Sequence, residues 1–379
     1  MPSRDPLSIL QICSASEAVY GAAQSLMTLA QGQRDQGDRV EFVTFRGKRF
    51  GRQVREARFR VHEVRVRSKI DILAVLQMRR TIRQGNFDLV HTHLSTSSVN
   101  GCLAARLAKV PALATVHGMS GKLSYVFADH LIGVSQNVKS HLIDQGVPAN
   151  KVSVVYNGLK FEPAKPTGIS ARRSFEVLGT PVIGTVARVT ELKGIEYGIE
   201  SIARLIDDFP HIQYVVAGDG DRLEACRGHA RDLGIERHVT FLGYQKDVAS
   251  VLSTMDLFLF PSLKEAMGIA LVEAMAAGLP IVSTTVGGIP EVVTPDCGIL
   301  VPPRSAEALA EAAREVLVND LKSLSMSESA RRRAETMFSV PAMVKGVDQV
   351  YRTMMREMRG RRFSSKEEAS VSQPPRFVP

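Results

Sequence analysis

The feature that most constrains this chain is a series of short, apolar, β-rich segments alternating with helix-like stretches, interrupted once and then resumed. In the first series the strand-like segments are Leu7–Ile12, Val40–Val43, Leu89–Val90, Ala112–Val116, Leu131–Val134 and Val152–Val155. Helical patterns lie between several of them; Ala22, Leu26, Leu29 and Ala30, for example, are spaced to make one apolar face. A segment rich in Pro and Gly, Glu162–Gly168, breaks the series. The alternation restarts with Val182–Val186, Tyr214–Ala217, Val239–Leu242, Leu257–Phe260, Ile281–Ser283 and the short Ile299–Val301. Near-continuous apolar strands alternating with helices build parallel sheets covered on both faces. The expected class is therefore α/β, with two doubly wound (Rossmann-like) domains, 1–162 and 169–340, facing a central cleft. Ligands of such sheets bind at the carboxyl ends of the strands. Residues 341–360 are expected to form a helix packed back on the first domain. Residues 364–379, with Ser, Glu and three prolines, are expected to be a disordered tail.

The apolar fraction of 44% over 379 residues suffices for two cores. No run of about 18 apolar residues predicts a membrane span, and Met1–Leu10 lacks the sections of a secretory signal. Cys13, Cys102, Cys226 and Cys297 are far apart and form no CxxC pair, which argues against a disulfide framework and a structural zinc site. A reducing cytosol is the expected compartment.

The net charge of +9 is local. Ten Lys/Arg residues lie between Arg46 and Lys69, against Glu56 and Glu63, and a second cluster runs from Arg352 to Arg362. Such clusters attract nucleic acid or anionic lipid, or are simply solvated faces. Base stacking needs interleaved aromatics, yet the chain has no Trp and residues 46–69 offer only Phe50 and Phe59. No nucleic acid partner is expected. Beyond the basic stretch, Ile70, Leu73, Leu76, Gln77 and Arg80 can set an apolar face beside a basic one, so an anionic membrane surface is the expected partner of Arg46–Lys69.

The most informative motif is Pro261–Pro280, PSLKEAMGIALVEAMAAGLP. A buried strand ends at Pro261, a loop follows, and a helix is expected from near Gly268 to Gly278. Glu265 precedes that helix and Glu273 lies within it; were the whole interval helical, they would be about 12 Å apart. That is about the span between the sugar and ribose ends of a nucleotide sugar. The amides of Ala266 to Ile269 lie at a helix start, where negative charge is favoured and a diphosphate could sit. A plain amphipathic helix with a capping acid would show the same spacing. In Val182–Gly194, VIGTVARVTELKG, Arg188 and Lys193 follow a strand end, well placed to neutralise a diphosphate; an ordinary strand-end turn would look alike. Gly21 in Tyr20–Ala23 permits close backbone approach after the first strand, without GxGxxG. The loop Gly218–Gly220 is an equally weak signal, and Gly243–Tyr244 is placed near a nucleotide base. His117 stands at a strand end where an imidazole can bind a sugar hydroxyl or the acceptor, or serve the structure alone; His91 and His93 rank below it. No HExxH-type metal cluster is present.

These segments resemble the retaining glycosyltransferases of family 4, the group 1 family with the GT-B fold. Glu265-x7-Glu273 resembles its paired glutamates and ARVTELKG its diphosphate-binding motif. VVYNGL (Val154–Leu159), VVAGDG, FLGY and VGGIPEVV match in the same order, so the likeness spans nearly the whole chain. The resemblance implies transfer of a sugar from a nucleotide diphosphate donor, without a cofactor or a divalent metal, to a saccharide or glycolipid acceptor. It implies that Glu265 binds donor-sugar hydroxyls and Glu273 the ribose hydroxyls. Arg188 and Lys193, with the amides of Met267, Gly268 and Ile269, would hold the diphosphate. His117 would contact the transferred sugar, and Gly21 would let the first turn approach the phosphates or the acceptor. A uridine diphosphate sugar and an envelope-type acceptor at the inner face of the membrane are the expected substrates. Two rivals are a nucleotide-sugar epimerase of the same fold, which needs an acid/base constellation not found here, and a non-catalytic polyanion binder.

Overall fold

The apolar segments assemble into two parallel sheets in the computed structural model, which describes residues 5–17, 21–161 and 169–371. The first sheet contains β1 (Ser8–Cys13), β2 (Arg39–Phe45), β3 (Arg60–Val64), β4 (Leu89–His93), β5 (Ala112–Val116), β6 (His130–Gly133) and β7 (Val152–Val154), in the order β3-β2-β1-β4-β5-β6-β7. In β1 every residue after Ser8 is buried, because helices cover both faces. Ile9 pairs with Val40 of β2 on one side and Leu89 of β4 on the other. The strand order reverses between β1 and β4, which makes their carboxyl ends the ligand-binding edge of this sheet.

The described residues up to Val134, Lys139–Gly158 and those from Val340 onward form one compact unit. The helix Val340–Val371 therefore returns to the first sheet, where Met343, Val344, Val347, Tyr351 and Met354 join Ile9, Leu29, Leu89 and Ile132 in one core cluster. Burying such side chains stabilises by about 1.5–3 kcal/mol each.

Ser135–Val138 and the described residues between Leu159 and Ser339 form the other unit. Its sheet contains β8 (Val182–Val186), β9 (Gln213–Ala217), β10 (Val239–Gly243), β11 (Leu257–Phe260), β12 (Ile281–Thr284) and β13 (Gly298–Val301), in the order β10-β9-β8-β11-β12-β13. Here the reversal lies between β8 and β11, whose Ile183 and Leu257 pair directly. Ile183, Ile199, Tyr214, Leu257, Leu259 and Leu309 are wholly buried in its core.

The structure adds two features that the sequence reading did not give and corrects one that it did. The basic stretch from Arg46 to Lys69 is ordered structure: a helix, Arg49–Glu56, and the edge strand β3. Phe50, Val54 and Phe59 anchor it in the core, while Arg49, Arg52, Arg55 and Arg58 stay exposed. β3 itself, RVHEV, escaped the apolar pattern because an edge strand tolerates polar residues. The C-terminal helix runs through Ser364–Val371, where a tail was expected; Lys366, Glu367, Glu368 and Ala369 favour helix, and all three prolines come later. The Pro/Gly break at 162–168, residues 372–379 and Tyr20 lie outside the described residues.

Candidate functional site

In the second unit the site grows from the carboxyl ends of β8 and β11, neighbours in the sheet. Beyond β8 the chain reaches Arg188, whose guanidinium is exposed and makes no ion pair among the described residues. A short 3-10 turn, Glu191–Lys193, then aims Lys193 inward. The Lys193 ammonium bonds to Glu265 Oε2 and lies 5.1 Å from the centre of the Phe260 ring. The second oxygen, Glu265 Oε1, accepts the backbone N–H of Ala266 at 3.0 Å. Leu263 N–H donates to Leu192 O at 2.9 Å, tying the two loops together. The lysine and glutamate, with side chains 17% and 15% exposed, thus neutralise each other in a site largely screened from water. The expectation that all four amides from Ala266 to Ile269 serve a diphosphate needs correction, since Ala266 is held by the carboxylate of Glu265.

The interval from Glu265 to Glu273 is not one helix either. Gly268, at φ 91°, turns the backbone left-handed, and the helix begins only at Ile269 and ends at Ala276. The preceding loop is held by backbone contact: Gly288 N–H donates to Glu265 O at 3.2 Å. Gly287, at φ 57°, lies so close that a Cβ there would overlap Glu265 O. In the same way a Cβ on Gly218 would overlap Ala187 O, next to Arg188. Met267 is buried, so only its backbone can meet a ligand. Glu273 is partly buried on the helix and has no hydrogen-bond partner among the described residues; burial raises its carboxyl from the ordinary 4.5 to about 7. Gly243 accepts the N–H of Gly218 at 2.8 Å, and Tyr244 beside it is half exposed. Ser262, at the end of β11, is buried with an unpartnered hydroxyl; nothing in its local sequence sets it apart.

The first unit places Gly21 at the start of the helix Gly21–Asp35 and His117 just after β5. His117 Nε2 lies 3.1 Å from His93 Nδ1, while His117 Nδ1 is buried with no partner. Both rings, with Ser25 and Asn157, line a small cavity of about 10 Å³, room for roughly one water. Burial depresses all three histidines, His91 to about 3, His117 to about 4 and His93 well below its ordinary value, so all are neutral at physiological pH. His91 and His93, ranked below His117 on sequence, thus belong to its immediate surroundings. Sequence reasoning missed Gln11, Gln33 and Tyr351, which join them; the one local sign was a glutamine inside an otherwise apolar buried strand.

Among the described residues no group of three or more His, Cys, Asp or Glu could hold a metal ion. Nor is any described helix long and apolar enough to cross a membrane.

Comparison with known proteins bears directly on this geometry. Residues 19–162 match the model of Glycosyltransferase Family 4, and residues 170–333 that of Glycosyl transferases group 1. The chain is 28% identical over 312 residues to the UDP-Gal:alpha-D-GlcNAc-diphosphoundecaprenol alpha-1,3-galactosyltransferase of Escherichia coli, covering 75% of this chain and 80% of that one. It is 27% identical over 301 residues to a D-inositol 3-phosphate glycosyltransferase of Corynebacterium glutamicum, covering 70% and 72%. Among solved structures it is similar to Anabaena Alr3699/HepE in complex with UDP, with a TM-score of 0.82 at 22% identity, over 92% of this chain and 100% of that one. The charged loops after β8 and β11 thus lie in the GT-B fold, and the chain belongs to the group 1 (family 4) glycosyltransferases, enzymes that use nucleotide sugars.

Proposed function

We propose that this chain transfers a hexose from a uridine diphosphate sugar to a glycolipid or lipid-linked saccharide, with retention of anomeric configuration and without a metal. The observation that carries this reading is the Lys193–Glu265 pair at the carboxyl ends of β8 and β11, with Arg188 exposed on the same loop after β8. A nucleoside diphosphate would draw Lys193 and Arg188 onto its phosphates, leaving Glu265 to accept sugar hydroxyls. As the glycosidic bond breaks, negative charge develops on the leaving diphosphate, and fixed cations in a water-poor site stabilise it. Those cations do the work for which other enzymes use a divalent ion. Glu265 orients the sugar and is not a double-displacement nucleophile; Glu273 takes the ribose, the amides of Met267, Gly268 and Ile269 help hold the phosphates, and His117 contacts the transferred sugar.

The UDP donor is supported by the similar Anabaena protein, whose structures include complexes with UDP and with UDP-glucose. The lipid-linked acceptor is supported by the name of the Escherichia coli relative and by the surface of the first unit. There Ile70, Ile72, Leu73 and Leu76 are about half exposed or more, and Arg49, Arg52 and Arg55 of the helix Arg49–Glu56 are exposed as well. That pairing of apolar and basic surface suits the anionic inner face of a cell membrane.

The test is a donor panel. Purified protein incubated with nucleotide sugars is read by thermal shift and slow hydrolysis, and the productive donor is then given candidate lipid acceptors. A product with the donor's anomeric configuration, formed in EDTA, is the expected result. An isomerised nucleotide sugar formed without acceptor would instead establish an epimerase.

A further inference from the structure

The first unit carries a chain of buried hydrogen bonds that the donor chemistry leaves unexplained. It starts at Tyr351, on the returning C-terminal helix, and ends at His117. Gln33 donates from Nε2 to the Tyr351 hydroxyl at 3.1 Å. Gln11, in the middle of β1, donates from Nε2 to Gln33 Oε1 at 3.0 Å. His93 Nε2 lies 3.0 Å from Gln11 Oε1, and His93 Nδ1 lies 3.1 Å from His117 Nε2.

The polarity of this chain fixes the imidazole protons. An amide oxygen only accepts, so His93 must carry its proton on Nε2. A neutral imidazole has one such proton, which makes His93 Nδ1 a lone pair and assigns the shared hydrogen to His117 Nε2. His117 Nδ1 is then a bare acceptor. At the far end the Tyr351 hydroxyl, already accepting from Gln33, donates to His91 Nδ1 at 2.6 Å, and His91 Nε2 donates to Thr115 Oγ1 at 2.7 Å. Every link is satisfied except the last atom, His117 Nδ1. Reversing the chain would leave a buried N–H without a protein partner there instead, a costlier defect than an unpaired acceptor.

We propose that Gln11, Gln33, His93 and Tyr351 are positioning residues that lock His117 in its Nε2–H tautomer, so that Nδ1 accepts a hydroxyl of the transferred sugar. This rests on the reading of His117 as a sugar contact. The other tautomer would present a donor, so the hydroxyl would have to turn and accept, redirecting its own proton, and the reversed contact should lower turnover about ten-fold.

Nitrogen-15 NMR of histidine-labelled full-length protein reads the tautomer directly, because protonated and bare ring nitrogens resonate far apart. Wild type should show His93 and His117 protonated on Nε2 from pH 6 to 8. Gln11→Leu should give averaged shifts for both rings and a turnover about ten-fold lower, with the KM for donor unchanged within about two-fold. Gln11→Glu supplies an oxygen acceptor to His93, and rotation of the Gln33 amide serves its second oxygen; it should restore the tautomer and most of the turnover. If Gln11→Leu fails to fold, Tyr351→Phe, which removes one oxygen and frees the amides to reverse, takes the same readout. A wild-type His117 protonated on Nδ1, or a single unchanged tautomer in the disrupting variant, would overturn the proposal. Absence of transfer from every donor would sink the functional reading, while the spectra would still decide the positioning chain.

Discussion

Replacing Glu273 by Gln separates what this carboxylate does for the fold from what it does for a ligand. Its side chain is partly buried without a partner, and its pKa rises from 4.5 to about 7 through burial alone. At about 1.4 kcal/mol for each pH unit of that rise, ionised Glu273 costs the folded protein up to about 3 kcal/mol. The sign follows from the folded state holding the proton more tightly than the unfolded chain. The penalty is absent below about pH 4.5, grows as pH climbs to 7, and is constant above. Glu273→Gln removes the charge and keeps the shape, so it should be more stable than the parent by up to about 3 kcal/mol at pH 8 and equal to it near pH 4. Such a penalty makes sense if the carboxylate is kept to receive two ribose hydroxyls, where charged hydrogen bonds contribute about 1.5–3 kcal/mol. Affinity for UDP should therefore fall roughly ten- to a hundred-fold at pH 8 while stability rises. Urea titrations at the two pH values, with calorimetry of UDP binding, measure both. No stabilisation at pH 8, a gain equal at both pH values, or unaltered UDP affinity would refute the reasoning.

Lys193→Ala and Arg188→Ala should each cut turnover by about 10²–10³ without unfolding the protein, as expected for charge aimed at a transition state; steady-state rates and circular dichroism check this, and wild-type rates should survive EDTA. Glu265→Ala should lower turnover while UDP affinity stays largely intact in calorimetry, because its oxygens serve the sugar; a loss of UDP affinity equal to that of Glu273→Ala would refute the division of roles. Binding to liposomes should require anionic lipid and weaken as salt rises. It should drop when Arg52, Arg55 and Arg58 become Glu, each charge contributing about 1 kcal/mol; equal flotation with neutral vesicles would refute it.

The strands of both sheets were legible because buried parallel strands must be apolar along their length, as in LFLF of β11. β3 was not, since its Arg60, His62 and Glu63 follow the rules of an exposed sheet edge. The donor-side loops were legible for a different reason: Arg188, Lys193, Glu265 and Glu273 are charged residues lying within or just after buried segments. The bond between Lys193 and Glu265 was not legible, because 72 residues separate them and only the β8–β11 adjacency brings them together. The histidine chain was the least readable. Its links join residues 22, 82 and 318 positions apart, and a buried Gln shows no partner until the fold supplies one.

The loops bearing Arg188 and Glu265 are seated main chain against main chain, on Gly218 and on Gly287. Scaffolding of that kind asks nothing of the side chains that project from the loops. Glu191, Leu192 and Lys264 are exposed there, flanking Lys193 and Glu265 without supporting them. Substitutions at these three positions should therefore leave the seating of both loops unchanged. A saturation library at Glu191, Leu192 and Lys264 should keep the frame intact, whereas a single methyl group added at Gly287 would dismantle it.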